Sequence, residues 1–152
     1  KEALESFKNA ERRLELKGYF KSIPVYDDYG HHPTEIRAVL KAIKEMYPDK
    51  KILLVFQPHR YSRTYYLFED FVGVLREADQ CLLTDIYPAG EENIYGVRAG
   101  DLAQKAGCVF LPTKEELFEA IEERASEDKV VLFMGAGSIS KWCEEFLALK
   151  RV

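Results

Sequence analysis

Apolar and polar positions follow two distinct periods along this chain, and the periods alternate. Leu14-Glu15-Leu16 and the stretch to Phe20 alternate apolar with polar, the period of a half-buried strand. Ile23-Pro24-Val25-Tyr26-Asp27 reads as a second strand, close enough to form a hairpin with the first. Helical spacing then takes over: Pro33 suits a first helical turn, and Ile36, Val39, Leu40 and Ile43 fall on one face. Lys51 to Phe56 is a continuous apolar run, as in a strand covered on both sides. Residues 64–76 are amphipathic, with Leu67, Phe68, Phe71, Val72 and Leu75 on one side, and residues 81–86 form the next strand.

A loop rich in turn formers covers residues 87–93. The pattern then predicts a helix over 98–106 and a short strand over 108–111. Thr113 with Glu116 has the spacing of a capping box and opens a helix carrying Leu117, Ile121 and Ala125. Lys129 to Met134 is the last buried strand. Gly135-Ala136-Gly137-Ser138 turns into a final helix reaching Leu149. A short helix is also expected at residues 2–8. Strands alternating with helices imply a three-layer, Rossmann-like, doubly wound α/β fold with a mostly parallel sheet. The initial hairpin adds an antiparallel N-terminal edge.

Composition narrows the function. The 152 residues suit one domain, taken as 1–152, with a single sizeable core. A net charge of −4 gives no basic footprint for nucleic acid and no polybasic membrane patch. No apolar run approaches the length of a membrane span, and the start has no signal-peptide core. Cys81, Cys108 and Cys143 are widely spaced and odd in number, which reads as buried reduced thiols in a cytoplasmic protein.

Chemistry concentrates at two strand-to-helix junctions. Asp27-Asp28-Tyr29-Gly30-His31-His32-Pro33 and Gln57-Pro58-His59-Arg60-Tyr61-Ser62-Arg63 hold all three histidines of the chain. In an open α/β sheet such junctions lie at the carboxyl edge, where ligands bind. Two adjacent carboxylates at a strand end suit a ribose or a metal, although Asp is also a common helix cap. Adjacent histidines diverge and do not readily share one metal, so one imidazole is expected to face the cleft and one to pack inward. No metal site is expected. Arg60 and Arg63, three apart, present two guanidinium forks to one side, a clamp for carboxylate or phosphate. The glycine turn at 135–137 resembles a dinucleotide fingerprint, but Ser140 replaces its third glycine, and the acidic residue expected some way downstream does not fit. No Gly-x-x-x-x-Gly-Lys-[Ser/Thr] phosphate loop occurs anywhere.

Four segments occur in order: Asp28-Tyr29-Gly30-His31-His32-Pro33-Thr34-Glu35, then residues 56–64, then Tyr87-Pro88-Ala89-Gly90-Glu91, then Gly135-Ala136-Gly137. Together they closely resemble the C-terminal domain of the Mur ligase family of peptidoglycan synthesis, in the branch that adds L-alanine to UDP-N-acetylmuramate. Arg12-Arg13-Leu14-Glu15 looks like the Arg-Arg-x-Glu run that opens this domain, although Asn9-Ala10-Glu11 departs from the small residues many relatives carry before it. The resemblance covers essentially the whole chain. It implies one domain of a three-domain enzyme whose N-terminal domain binds the UDP-sugar. The central domain would carry the phosphate loop and magnesium ligands.

The reaction implied is ATP-dependent amide formation through an acyl phosphate, with UDP-N-acetylmuramate, L-alanine and ATP as substrates. Carried over residue by residue, Arg13 would lie near the ATP phosphates and act in catalysis with His31. Asp28 would bind the ribose side of the nucleotide. Tyr29, His31, Arg60 and Arg63 would form the L-alanine pocket. ATP and magnesium belong to the full-length enzyme, and neither is expected to bind this domain tightly by itself. Two other readings stand beside this one: a stand-alone flavodoxin-like nucleotide or anion-binding module, and a metal-dependent hydrolase using Asp27, Asp28 and His31.

Overall fold

The computed structural model describes residues 14–149. The N-terminal arginines and the helix expected at residues 2–8 lie outside the described residues. Six strands form one sheet: β1 (Glu15–Phe20), β2 (Ile23–Asp28), β3 (Lys51–Phe56), β4 (Gln80–Leu83), β5 (Val109–Phe110) and β6 (Lys129–Met134). Their spatial order is β1-β2-β6-β3-β4-β5. β1 pairs antiparallel with β2, and all other neighbours are parallel. The hairpin turn requires left-handed backbone at Lys21 and Ser22 (φ 50° and 70°).

The continuous apolar run of β3 follows from its place in the sheet. It pairs with β6 from Lys51↔Lys129 to Phe56↔Met134 and with β4 on its other side. Successive side chains therefore enter opposite cores. Ile52, Leu54 and Phe56 pack with α1 (Pro33–Met46), α3 (Phe68–Leu75) and α4 (Ala99–Ala106). Leu53 and Val55 pack with α5 (Lys114–Arg124) and α6 (Ile139–Leu149). This is the doubly wound, three-layer arrangement with an antiparallel edge that the pattern implies.

Three boundaries differ from the pattern. The helix expected over 64–76 starts earlier and is broken: α2 (Tyr61–Tyr66) ends at Leu67, whose φ of −109° and ψ of 21° leave the helical region before α3 begins. The strand expected over 81–86 ends at Leu83, because the Asp85 carboxylate accepts the Ile86 amide (3.0 Å) and turns the chain. β5 is only two residues long.

The connections set the site. From β2 the chain crosses on one face, through α1, to β3. From β6 it leaves on the opposite face, through α6. The carboxyl end of β6, between those of β2 and β3, is therefore where neighbouring connections part and a crevice opens.

Candidate active site

The segment after β2 is held by its own polar groups. Asp28 is 1% exposed; its carboxylate accepts the amides of Leu14 (2.5 Å) and Gly30 (2.7 Å). A Cβ on Gly30 would stand 2.6 Å from the Met134 terminal methyl and 2.8 Å from the Asp28 carboxylate, so a larger residue would require these side chains to shift. Through its two bonds Asp28 ties the turn before His31 to Leu14, the residue that follows Arg13.

The cap of α1 comes from His32 and not from either aspartate. Its ring accepts the Thr34 amide (3.1 Å), while Glu35 accepts the amides of His31 and His32 (both 3.1 Å), a capping box closing α1. Contrary to the expectation that one imidazole packs inward, His32 is exposed, held at the surface as the cap of α1, and His31 is the half-buried imidazole beside the crevice. Its Nδ1 bonds the Tyr29 carbonyl (3.1 Å) and lies 3.9 Å from Glu35. Tyr29 projects outward, 47% exposed.

The segment after β3 meets His31 from the other side. The rings of His31 and His59 have centroids 5.6 Å apart, and His59 stacks on Tyr87. Arg63 donates to the His59 carbonyl (3.0 Å) and contacts its Nδ1 (3.3 Å). Burial holds His59 below the ordinary histidine value, and the nearby charges of His31, Arg63 and Arg60 add to this. It is therefore a neutral ring amid cations at neutral pH.

Arg60 has a left-handed φ of 76°, an unusual conformation for a residue with a side chain. The backbone around it fixes that geometry. Its amide donates to the Tyr87 carbonyl (2.8 Å), and Thr64 returns both amide and hydroxyl bonds to the Arg60 carbonyl. Its guanidinium lies 3.9 Å from Glu91 and is roughly half exposed. Glu91 also accepts the amide and hydroxyl of Ser62 (3.0 and 2.6 Å), which hold its carboxyl below the usual carboxylate range.

The glycine turn after β6 closes the crevice floor. Gln57 donates to the Ser138 hydroxyl (3.0 Å) and accepts the Ile139 amide (3.1 Å) at the start of α6. Ser140, the residue that breaks the dinucleotide pattern, donates to Asp27 (2.6 Å). Asp27 is 6% exposed, and its other oxygen has no partner among the described residues. Burial raises its carboxyl above the usual value despite the Ser140 bond. Asp27 therefore packs beneath α6, facing away from the crevice side occupied by Asp28.

The fold thus brings His31, Arg60 and Arg63 around His59, with Tyr29 exposed nearby, while Asp28 bonds the Leu14 and Gly30 amides and Asp27 bonds Ser140. Arg13 lies outside the described residues. His59, Tyr87, Glu91 and Gln57 join the site although sequence reasoning gave them no separate roles. The signal for all four was their place in the motif runs at 56–64 and 87–91. Among the described residues, no three His, Cys, Asp or Glu side chains converge as a metal site. A cavity of about 600 Å³ opens beside Tyr61, between Asp85, Asn93, Arg98 and Phe110, but none of the expected site residues lines it.

A mostly parallel sheet with helices on both faces and a crevice at its carboxyl edge defines a doubly wound α/β domain. The family model for the Mur ligase, glutamate ligase domain, matches residues 12–137, and the chain belongs to the Mur ligase family. It is 67% identical over 147 residues to the UDP-N-acetylmuramate–L-alanine ligase of Aquifex aeolicus, covering 97% of this chain and 32% of that protein. The ligase of the same name from a Hydrogenobaculum species is 52% identical over 149 residues, with 96% and 33% covered. Among solved structures, UDP-N-acetylmuramate–alanine ligase from Thermotoga maritima superposes with a TM-score of 0.74 at 30% identity, over 99% of this chain and 32% of that one. The chain therefore matches the C-terminal domain of such ligases and spans about a third of the length of these relatives.

Proposed function

We propose that this chain is one domain of a three-domain, ATP-dependent ligase that joins L-alanine to UDP-N-acetylmuramate, and that it supplies the amino-acid site. The observation that carries the reading is the meeting of two sequence-distant motifs: His31 from one and His59, Arg60 and Arg63 from the other. A small anionic substrate fits this cluster. The two guanidinium groups are partly engaged by Glu91 and the His59 carbonyl, which orients their remaining donors. The names of the relatives point to the same substrates.

In the reaction, the muramate carboxylate attacks the γ-phosphate of ATP to give an acyl phosphate and ADP. The amine of L-alanine then attacks the acyl carbon and expels phosphate. In this reading Arg60 and Arg63 hold the amino-acid carboxylate, with His31 and Tyr29 shaping the pocket. Holding the amine against the acyl carbon is catalysis by positioning. Fixed cations also oppose the negative charge that builds in both steps.

Arg13 serves the ATP phosphates, and Asp28 serves the nucleotide side indirectly, by fixing Leu14 and the Gly30 turn. Magnesium, which would neutralise phosphate charge when bound, belongs in this reading to the central domain. The other two domains of the enzyme, and a cytoplasmic location, complete the reading.

A domain replacement tests it. The chain is substituted for the corresponding third of the Aquifex aeolicus ligase, and phosphate release is measured with ATP and UDP-N-acetylmuramate. Release that depends on L-alanine is expected. A correctly folded chimera with no turnover, or with turnover indifferent to L-alanine, overturns the reading.

A further inference from the structure

Cys81 and Cys108 are far apart in sequence but adjacent in the sheet. β4 and β5 pair with Leu82 opposite Val109 and Leu83 opposite Phe110. One step back, the same register sets Cys81 beside Cys108. In a parallel pair, residues at matching register point to the same face. Both thiols accordingly enter the core under α4: Cys81 is 7% exposed, and Cys108 packs against that core from the sheet edge. Burial first, and then the neighbouring Cys108 thiol, raise the Cys81 thiol above its ordinary value. Neighbouring strands bring Cα atoms to about 5 Å, within the range that a disulfide spans. Both cysteines are reduced in the structure, and Cys108 is only half-buried, contrary to the expectation of three buried thiols.

We propose that Cys81 and Cys108 form an oxidisable dithiol that closes to a cross-strand disulfide. The two positions differ in access. Cys108 lies just before the short outer strand and is half-buried, open to a small reagent, while Cys81 is enclosed. With a low-molecular-weight disulfide as oxidant, the Cys108 sulfur attacks one of its sulfurs and releases the first thiol. The Cys81 sulfur then attacks the Cys108 sulfur of the mixed disulfide and expels the second thiol. The two protein thiols lose two electrons, the oxidant gains them, and the two protons leave on the released thiols. Burial and the Cys108 contact push the Cys81 thiol well up, so the second step is the slow one and quickens as pH rises.

The bond would tie together both ends of the segment that carries Tyr87, Glu91 and α4. It therefore links thiol redox state to the loop that contacts His59 and Arg60. The proposal rests on strand register and does not depend on the ligase reading.

The test is a thiol count on the 152-residue chain after oxidised glutathione, followed by denaturation and mass measurement. The three cysteines of the sequence should fall to one titratable thiol, with loss of two hydrogens and no retained glutathione. A reductant should restore the count. Cys143→Ser should fall from two thiols to none, and Cys108→Ser should keep both of its remaining thiols. A count that stays at three overturns the proposal, as does a stable glutathione adduct on Cys108 or a disulfide between two chains.

Discussion

His59 lies flat against Tyr87, with ring centroids 5.5 Å apart and planes inclined by 13°. The same two residues form an isolated parallel bridge, so the backbone places the rings before their contact adds anything. This joins the segment after β3 to the segment after β4 at the point where Arg60 takes its left-handed turn. Tyr87 thereby shields the one histidine enclosed by cations.

That shielding makes a pH-dependent outcome. The folded-state value of His59 is depressed, so between that value and the ordinary value near 6.5 the unfolded chain binds more protons than the folded one. The stability contribution is therefore complete above about pH 6.5 and is lost as pH falls through the folded value. An NMR titration should place the His59 midpoint below that of a free histidine. Tyr87→Ala admits water to the ring and should move the midpoint upward. A midpoint in Tyr87→Ala equal to or below that of the original chain would show that Tyr87 does not shield it.

Gly137 sits against the other side of Tyr87. A Cβ there would overlap the Tyr87 ring and lie 2.8 Å from Gln57 Oε1. Gln57 already holds the start of α6, so neither neighbour can move without breaking a contact. Gly137→Ala should cost about 1–3 kcal/mol of stability and shift the Tyr87 and His59 resonances together. Chemical denaturation measures the first effect. An unchanged midpoint of unfolding would mean that the turn yields freely.

Ser140 supplies the hydrogen bond on the Asp27 carboxylate, whose other oxygen has no partner among the described residues. Ser140→Ala leaves a buried charge less satisfied, at a cost of roughly 1–3 kcal/mol at neutral pH. Asp27 already titrates above the usual carboxylate range, and losing a bond to its charged form raises it further. The variant's deficit should therefore shrink as pH falls through the Asp27 titration, where the carboxyl becomes neutral in the folded state. Unfolding free energies at neutral and acid pH give the comparison. A deficit that is constant with pH would place the cost in packing and not in the charge.

The sheet was legible because burial on two faces leaves unbroken apolar runs, and β3 and β6 could be read as such directly. The helix break at Leu67 was not legible. Leu67 falls on the apolar face of one continuous amphipathic pattern, and the break between α2 and α3 shows only in its backbone angles. Of the adjacent histidines, His31 meets the crevice, but neither packs inward: His32 stays exposed and caps α1, a role composition did not signal because histidine is not among the usual capping residues. Asp27 and Asp28 show the limit most clearly. Two carboxylates at a strand end look alike in sequence, yet the pleat sends them to opposite faces, one under α6 and one to the Gly30 turn. Glu91 lies some 30 positions from Arg60, and periodicity does not register a contact of that kind.

The arginine clamp can be tested in a three-domain enzyme carrying this chain. Arg60 and Arg63 differ in what already holds them: Glu91 stands 3.9 Å from the first, and the second donates to the His59 carbonyl. Lysine at either position keeps the charge and loses the planar fork that lets one guanidinium serve a protein acceptor and a substrate carboxylate together. A lost charge-assisted hydrogen bond is worth about 1.5–3 kcal/mol, or roughly ten- to a hundredfold. Arg60→Lys and Arg63→Lys should raise KM for L-alanine by that factor and leave KM for ATP nearly unchanged. Arg63→Lys should also move the His59 titration, because the Arg63 fork touches that ring at 3.3 Å. Tyr29→Phe removes one neutral hydroxyl at an exposed rim and should have the smaller effect. Steady-state kinetics with each substrate varied in turn distinguishes an amino-acid pocket from a phosphate site. If both lysine variants raise KM for ATP and leave the L-alanine value untouched, the arginines serve the nucleotide and the pocket lies elsewhere.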